Sequence, residues 1–371
     1  MLYLDNNAST QVDPEVFEEM KDYFVKYYGN PEAKYYEQAV IAQDAIAKAR
    51  QRVAKLVGCN ADEVIFNSGA TEGNNTIIKG IAEYYRNKGN HIITTAVEHS
   101  SVYEVCKYLE IKGFEVTYLK VNKDCQIDIN ELISEIRSTT ILVSIQWVNG
   151  EVGSVFPMKK IADICHHHSL FLHSDATQAI GKLKIDLAHY PGLSFITFSG
   201  HKIYGPKGIG VVINKKDNLG FYNKYTSLMH GGGQEFNQRG GTQNVPGIVG
   251  VGKSCELIKM NQKIYLNNIR DLEIRLKDLL KNKFGKNIMI NNKFEHIAGI
   301  INLRFVNLNN QILLKNIASI VAASNGSACS NLKPSRVLQA MGFNKKEISE
   351  SIRLSLSHHE KLESLELIQD L

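Results

Sequence analysis

Between Val64 and Ile213 the chain alternates short β-branched runs with helical stretches, and few folds accommodate that alternation. Strands are predicted at Val64–Phe66, His91–Thr95, Glu115–Leu119, Ile141–Gln146, Leu170–His173, Phe195–Phe198 and Gly210–Ile213. Helices are predicted between them at Glu72–Arg86, Ser100–Lys112, Ile129–Arg137 and Met158–His167. Strands joined through helices form a mostly parallel sheet covered on both faces, and such a sheet binds its ligands at the carboxyl ends of its strands. Two further helices, Pro14–Tyr28 and the Ala-rich Glu37–Val57 closed by Gly58, precede the alternation. The start, Met1–Thr10, is too short to be a domain and is expected to pack against something distant in sequence.

The polar clusters follow the strands. Ser68-Gly69-Ala70-Thr71-Glu72-Gly73 opens a helix after the first, where backbone N–H groups and the Thr71 hydroxyl suit a phosphate. Glu98-His99 follows the second strand, Asn149-Gly150-Glu151 the fourth, and His173-Ser174-Asp175-Ala176-Thr177-Gln178 ends the fifth. The sixth strand runs into Ser199-Gly200-His201-Lys202, then a Gly205-Pro206-Lys207-Gly208 turn. A lysine held at a strand end beside other cations loses charge stabilisation, its pKa falls, and it can attack a carbonyl to form a Schiff base. Taken singly these are a helix cap, a loop histidine, a turn aspartate and a surface lysine. Together they ask for five coincidences at one sheet edge, whereas one ligand accounts for them all. It has a phosphate for Thr71, Ser199 and His201, a flat ring for His99, a ring nitrogen for Asp175, a phenolic oxygen for Gln178 and an aldehyde for Lys202. Pyridoxal 5'-phosphate (PLP) fits, with the Asp175 carboxylate keeping the ring nitrogen protonated and the ring an effective electron sink.

Composition bounds the rest. At 371 residues, 43% hydrophobic and 22% charged, the chain suits a globular protein of two domains. Forty-three basic against 38 acidic residues leave +5, spread along the chain without the basic run of a nucleic-acid groove. The cysteines at 59, 106, 125, 165, 255 and 329 form no CxxC pair or framework, as in a reducing compartment. With no charged-then-apolar leader and no apolar run near the ~20 residues of a membrane span, the expected location is cytoplasmic. His166-His167-His168 is not read as a metal site, because adjacent helical residues do not share a face.

The motifs resemble those of cysteine desulfurases of the NifS/IscS type, in the class V aminotransferase family. The likeness runs from Tyr3-Leu4-Asp5-Asn6-Asn7-Ala8 to Ser351-Ile352-Arg353-Leu354-Ser355. It includes Ser68–Glu72, Glu98-His99, Asp175–Gln178, Ser199–Gly208, His230-Gly231-Gly232-Gly233-Gln234-Glu235 and Gly326-Ser327-Ala328-Cys329. The resemblance implies the PLP-dependent transferase fold type I: a seven-stranded, mostly parallel sheet with helices on both faces, plus a smaller α+β domain. Residues 13–257 would form the large cofactor domain, and 1–12 with 258–371 the small one, including Gly299–Phe305 as strand and Pro334–Met341 as helix. It implies Lys202, His99 and Cys329 as catalytic residues, and Ala70, Thr71, His99, Asp175, Gln178, Ser199, His201, Lys202 and Thr242 as cofactor ligands. Thr242 would reach the neighbouring subunit of a homodimer, and Asn30 with Arg353 would grip the substrate carboxylate.

The implied reaction converts L-cysteine to L-alanine and leaves sulfur as a persulfide on Cys329 for an acceptor protein, with no metal, direct nucleic-acid contact or membrane involved. Iron–sulfur assembly, tRNA thiolation and DNA phosphorothioation are the pathways it admits. The sequence departs from the family at Gly150, where an Asn is usual, in the short Cys329–Pro334 segment, and in stopping at Leu371. Those departures lead us to expect a dedicated acceptor over a general iron–sulfur scaffold. Alternatives are a selenocysteine lyase, another class V aminotransferase, or a PLP-binding scaffold without catalysis.

Overall fold

A computed structural model describes residues 1–33, 35–217, 219–326 and 334–370. In chain order the strands are β1 (Leu2–Tyr3), β2 (Val64–Asn67), β3 (His91–Thr95), β4 (Glu115–Leu119), β5 (Thr140–Ser144), β6 (Phe171–Asp175), β7 (Phe195–Ser199), β8 (Gly210–Asn214), β9 (Ile288–Ile290), β10 (Ile300–Phe305), β11 (Val321–Ala322) and β12 (Ser351–Ser355). The helices are α1 (Pro14–Val25), α2 (Glu37–Val57), α3 (Ala70–Tyr84), α4 (Ser100–Ile111), α5 (Ile129–Ser134), α6 (Met158–His167), α7 (Val245–Phe284), α8 (Asn310–Ile317), α9 (Arg336–Ala340) and α10 (Lys345–Ser349).

The seven-stranded sheet has the order β2-β8-β7-β6-β5-β3-β4. β4, β3, β5, β6 and β7 run parallel, while β8 is antiparallel to both β7 and β2. Two reversals through β8 leave β2 pointing the same way as β7. The carboxyl ends of β2, β3, β5, β6 and β7 therefore share one edge. Every residue of β2, β3, β5, β7 and β8 is buried, so these strands show no alternation and are mostly apolar or small, with polar residues at their ends such as Asn67, His91 and Asn214.

β6 extends two residues beyond the predicted end and makes Asp175 its last residue. β5 stops short of Gln146, whose backbone N–H turns to the Glu98 carboxylate instead of a neighbouring strand. α1 and α5 are shorter than their apolar patterns suggested. Gly58 closes α2 in the left-handed conformation (φ 74°), where a Cβ is disfavoured.

The 40-residue α7 was not legible in the sequence. Its first turns contain Gly247, Gly250 and Gly252, which propensity alone assigns to a loop. Packing explains them: a Cβ on Gly250 would lie 2.4 Å from Met20 Sδ, and one on Gly252 2.6 Å from Ala49 Cα. Close approach of α1 and α2 thus excludes any side chain there. α7 passes through residue 257 without a break, and its second half packs into a separate apolar cluster with Leu2, Leu4, Ile301, Leu303, Ile352 and Leu354. A three-stranded antiparallel sheet, β12-β10-β9, backs that cluster.

Glu273 on α7 ties this region together. Its carboxylate accepts from His296 Nε2 (2.9 Å), Lys277 Nζ (2.5 Å) and the Gly299 N–H (2.6 Å) just before β10. Burial raises the carboxyl's pKa, but these donors outweigh it and bring the pKa down to about 2. A carboxyl depressed in the folded state contributes stability above its unfolded pKa and loses it as pH falls from the ordinary 4.5 toward about 2. Glu273→Gln should cost on the order of 3 kcal/mol at pH 7, and urea melts should show the gap from the parent narrowing steadily between pH 5 and pH 2.

Candidate active site

Asp175 ends β6 inside the sheet edge, 7% exposed. Its Oδ2 accepts from Asn74 Nδ2 on α3 (2.8 Å) and its Oδ1 from the Thr177 N–H (3.0 Å). Asn74 also donates to Ser101 Oγ (2.8 Å), which lies 2.8 Å from His99 Nδ1. The Ser101 N–H donates to the same Nδ1 (3.1 Å), so Nδ1 is an acceptor and the proton of the neutral ring sits on Nε2. A polar chain thus joins Asp175 to His99, orienting both through Asn74 and Ser101. Sequence reasoning assigned neither connector, because an Asn inside a helix and a Ser in a first turn carry no chemical signature.

The turn that delivers Lys202 is the 3₁₀ segment Gly200–Lys202 directly after β7. Lys202 Nζ donates to the main-chain oxygens of Asn7 (2.5 Å) and Ala8 (2.8 Å). Beside it, His201 Nδ1 faces Ser9 Oγ at 3.3 Å, and burial together with Lys202 and Lys207 lowers its pKa to about 4. At neutral pH His201 is therefore an uncharged ring. Ser199 Oγ accepts from the Ala70 N–H (2.7 Å) at the start of α3, next to Gly69. Gly210 lies so near that its Cβ would meet Gly69 Cα at 2.4 Å. Thr71 is exposed in the first turn of α3. Ala70, Thr71, Ser199 and His201 thus lie on segments that meet at one helix N-terminus.

Gln178 turns both ends of its amide to neighbours, Nε2 to the Asn7 carbonyl (3.1 Å) and Oε1 to Lys182 Nζ (2.5 Å). Lys182, which the sequence reading did not single out, also donates to Asn7 Oδ1 (2.8 Å). Burial, then the nearby charges of Lys202 and Arg353, bring its pKa down to about 7. Gly150 lies against Gln178, where a Cβ would be 3.4 Å from Gln178 Cγ. Its carbonyl accepts from Asn7 Nδ2 (3.0 Å) and Arg353 Nη1 (3.1 Å). The Asn149 amide is engaged at both ends, its Oδ1 capping the Glu151 and Val152 N–H groups (2.9 and 3.1 Å) and its Nδ2 donating to the Val97 carbonyl (3.2 Å).

Arg353, at the centre of β12 and 4% exposed, also binds Asp5 Oδ1 through Nη2 (2.7 Å). Asn30 is exposed, with its Oδ1 on the Glu32 N–H (3.0 Å). Cys329 lies outside the described residues, as do Ser327 and Ala328. Both flanks of that stretch meet Glu151: a Cβ on Gly326 (φ 88°) would lie 2.9 Å from Glu151 Oε2, and Ser335 Oγ donates to the same oxygen (2.5 Å). Burial raises the Glu151 pKa, partly offset by Ser335, Arg353, Arg336 and His99.

The family model for class-V aminotransferases matches residues 2–368. The chain belongs to that family. Within it, the chain is 41% identical over 361 residues to the cysteine desulfurase IscS of Ehrlichia chaffeensis, covering 96% of this chain and 86% of the relative. A solved NifS-like protein superposes with a TM-score of 0.91 at 33% identity, covering 100% of this chain and 97% of the other. SspA, solved in complex with cysteine, gives 0.86 at 32% identity, over 97% of this chain and 100% of its own.

PLP is the cofactor associated with class-V aminotransferases, and the residues at this edge fit it. Asp175 offers a buried, fixed carboxylate; Lys202 offers an amine at the end of the adjacent strand; and the Thr177 hydroxyl is buried without a hydrogen-bond partner among the described residues.

The loop that carries Thr242 is held from inside. Glu235, Phe236 and Asn237 all have positive φ (48°, 58°, 63°), a strained run for residues with a Cβ. It persists because Arg50 binds Glu235 through both terminal nitrogens (2.8 and 2.9 Å), with the Phe66 N–H (2.9 Å) on the same carboxylate. Arg239 of the loop binds Glu72 Oε1 on α3 (3.0 Å), and Thr242 itself is exposed. Arg50→Ala leaves the Glu235 charge buried and unpaired, so it should cost about 3–5 kcal/mol in denaturant unfolding. Limited proteolysis of the native variant should show new cleavage between residues 230 and 243.

Proposed function

We propose that the chain is a PLP-dependent cysteine desulfurase, converting L-cysteine to L-alanine and passing the sulfur, as a persulfide on Cys329, to an acceptor protein. The observation that carries this reading is the delivery of Lys202 and Asp175 to one edge by the adjacent strands β7 and β6. When bound, PLP supplies a carbonyl for the substrate amine and an electron sink.

The residues divide the remaining work. Asp175, fixed by Asn74 and Thr177, holds a proton on the ring nitrogen. Lys202 anchors the cofactor and moves protons at its amine. His99 would face the ring of the bound cofactor, with a proton available on Nε2 because the Ser101 N–H occupies Nδ1. Ala70, Thr71, Ser199 and His201 line the phosphate end, and Thr242 completes it from the neighbouring subunit of a homodimer. Phe17, Phe24, Val25, Tyr28 and Tyr35 are exposed large apolar side chains on α1 and the segment after it, which is consistent with a partner subunit covering that part of the surface. Gln178 serves the phenolic oxygen without help from residue 150, and Arg353 with Asn30 binds the substrate carboxylate. The Cys329 thiolate would bond to the substrate sulfur as the substrate carbon–sulfur bond breaks, the electron pair staying with the carbon, which takes a proton to become the methyl group of alanine. Residues 326 and 335, on either side of its segment, lie beside Glu151.

Lys202→Ala removes the anchor and a proton carrier together. Alanine and sulfide production should fall by at least about 10²–10⁴-fold, and borohydride reduction followed by peptide mapping should place the cofactor on Lys202 in the parent and nowhere in the variant. Cofactor found on another lysine of the parent would refute the assignment. Cys329→Ser should keep the yellow cofactor and its spectral response to cysteine yet form no protein persulfide. Persulfide appearing on Cys106 or Cys255 of that variant would show a different nucleophile.

A further inference from the structure

Behind the Lys202 turn, three side chains with metal-binding atoms meet on elements remote in sequence. Asp13 caps α1, accepting the Glu15 N–H on Oδ1 (2.8 Å), which leaves Oδ2 facing His359 Nε2 at 3.4 Å. His358 and His359 follow β12. One ligand atom from each of Asp13, His358 and His359 lies within 4.8 Å of the other two. The group is fixed from several sides. The His358 ring stacks on Tyr265 of α7 (centroids 3.6 Å apart, planes at 7°) and meets the edge of Tyr204 at 4.2 Å. The Asp13 N–H donates to the Tyr204 carbonyl (3.0 Å), and the His358 N–H to the Tyr204 hydroxyl (3.4 Å).

Ring packing and an Asp–His pair would explain part of this arrangement. They do not explain His358 Nε2, which is buried with no hydrogen-bond partner among the described residues. A stranded polar atom of that kind costs stability unless something binds there.

We propose that Asp13, His358 and His359 bind a zinc ion. Two imidazoles and one carboxylate are a donor set for zinc; magnesium and calcium take oxygen ligands. Three protein ligands leave the fourth tetrahedral position to water. The ion would fasten the start of α1 to the segment after β12, both of which hydrogen-bond to Tyr204, two residues after Lys202. The site is separate from the catalytic edge and does not depend on the proposed reaction.

The test is equilibrium dialysis of the Cys329→Ser holoenzyme, which lacks the loop thiol, against zinc chloride, with metal counted per chain. One zinc per chain is expected, accompanied by a rise in Tm. Asp13→Asn keeps the Oδ1 cap on α1, and His359→Gln alters a partly exposed ring, so both should fold. Each should weaken zinc binding at least about tenfold, since losing even a supporting group of a metal site costs about 10–100-fold. No zinc retained by the parent, or undiminished affinity in both variants, would overturn the proposal.

Discussion

The position of the Lys202 amine depends on two main-chain carbonyls, those of Asn7 and Ala8. They in turn depend on a strip of chain threaded across the molecule. The Leu2 and Leu4 N–H groups donate to Ile320 and Ala322 (2.7 and 2.9 Å). The Asn7 N–H donates to Ser355 Oγ (2.9 Å), and Asn6 Nδ2 to the Ser355 carbonyl (3.0 Å). Since Ser355 belongs to the strand of Arg353, the N-terminal strip links the arginine and the lysine mechanically. Movement of β12 would be felt at the amine within a few bonds.

Asn7 also organises the charges. Lys182 lies on its side-chain oxygen, Lys202 and Gln178 share its carbonyl, and its amide shares the Gly150 carbonyl with Arg353. Three cations converge there, balanced mainly by Asp5 and neutral dipoles. Burial first, and then the charges of Lys202 and Arg353, depress the pKa of Lys182. Asp175 stands at the adjacent strand end, attached to His99 by the Asn74–Ser101 relay, so the acidic and basic sides are held by different networks.

Two buried carboxylates do similar work for the loops. Glu235 holds a left-handed run that its own residues disfavour, and Glu151 receives both flanks of the Cys329 segment. The Glu235 carboxylate is satisfied by donors from distant segments, Arg50 and the Phe66 N–H, whereas the Glu151 carboxyl accepts from the Ser335 hydroxyl and burial raises its pKa. The conformation of residues 235–237 is therefore set by the core beneath them more than by their own sequence.

The sheet and the polar residues along its carboxyl edge were legible in the sequence because they rest on local signals. Buried strands are continuous apolar runs, and the polar residues that follow them, His99, Asp175 and Lys202, mark the carboxyl ends. Helix α7 was not legible, because its glycines are dictated by contacts with Met20 and Ala49 that no local pattern encodes. Asn7 and Ala8 hold Lys202 through backbone carbonyls, which every residue possesses, so that contact has no side-chain signature. Asn74, Ser101, Lys182 and Glu151 acquire theirs only from partners far along the chain. The sequence by itself determined which chemical groups reach the sheet edge, since that follows from strand periodicity and residue type. Tertiary structure decided which of them touch, which carry charge and what holds them, since burial and long-range hydrogen bonds are properties of the packed chain.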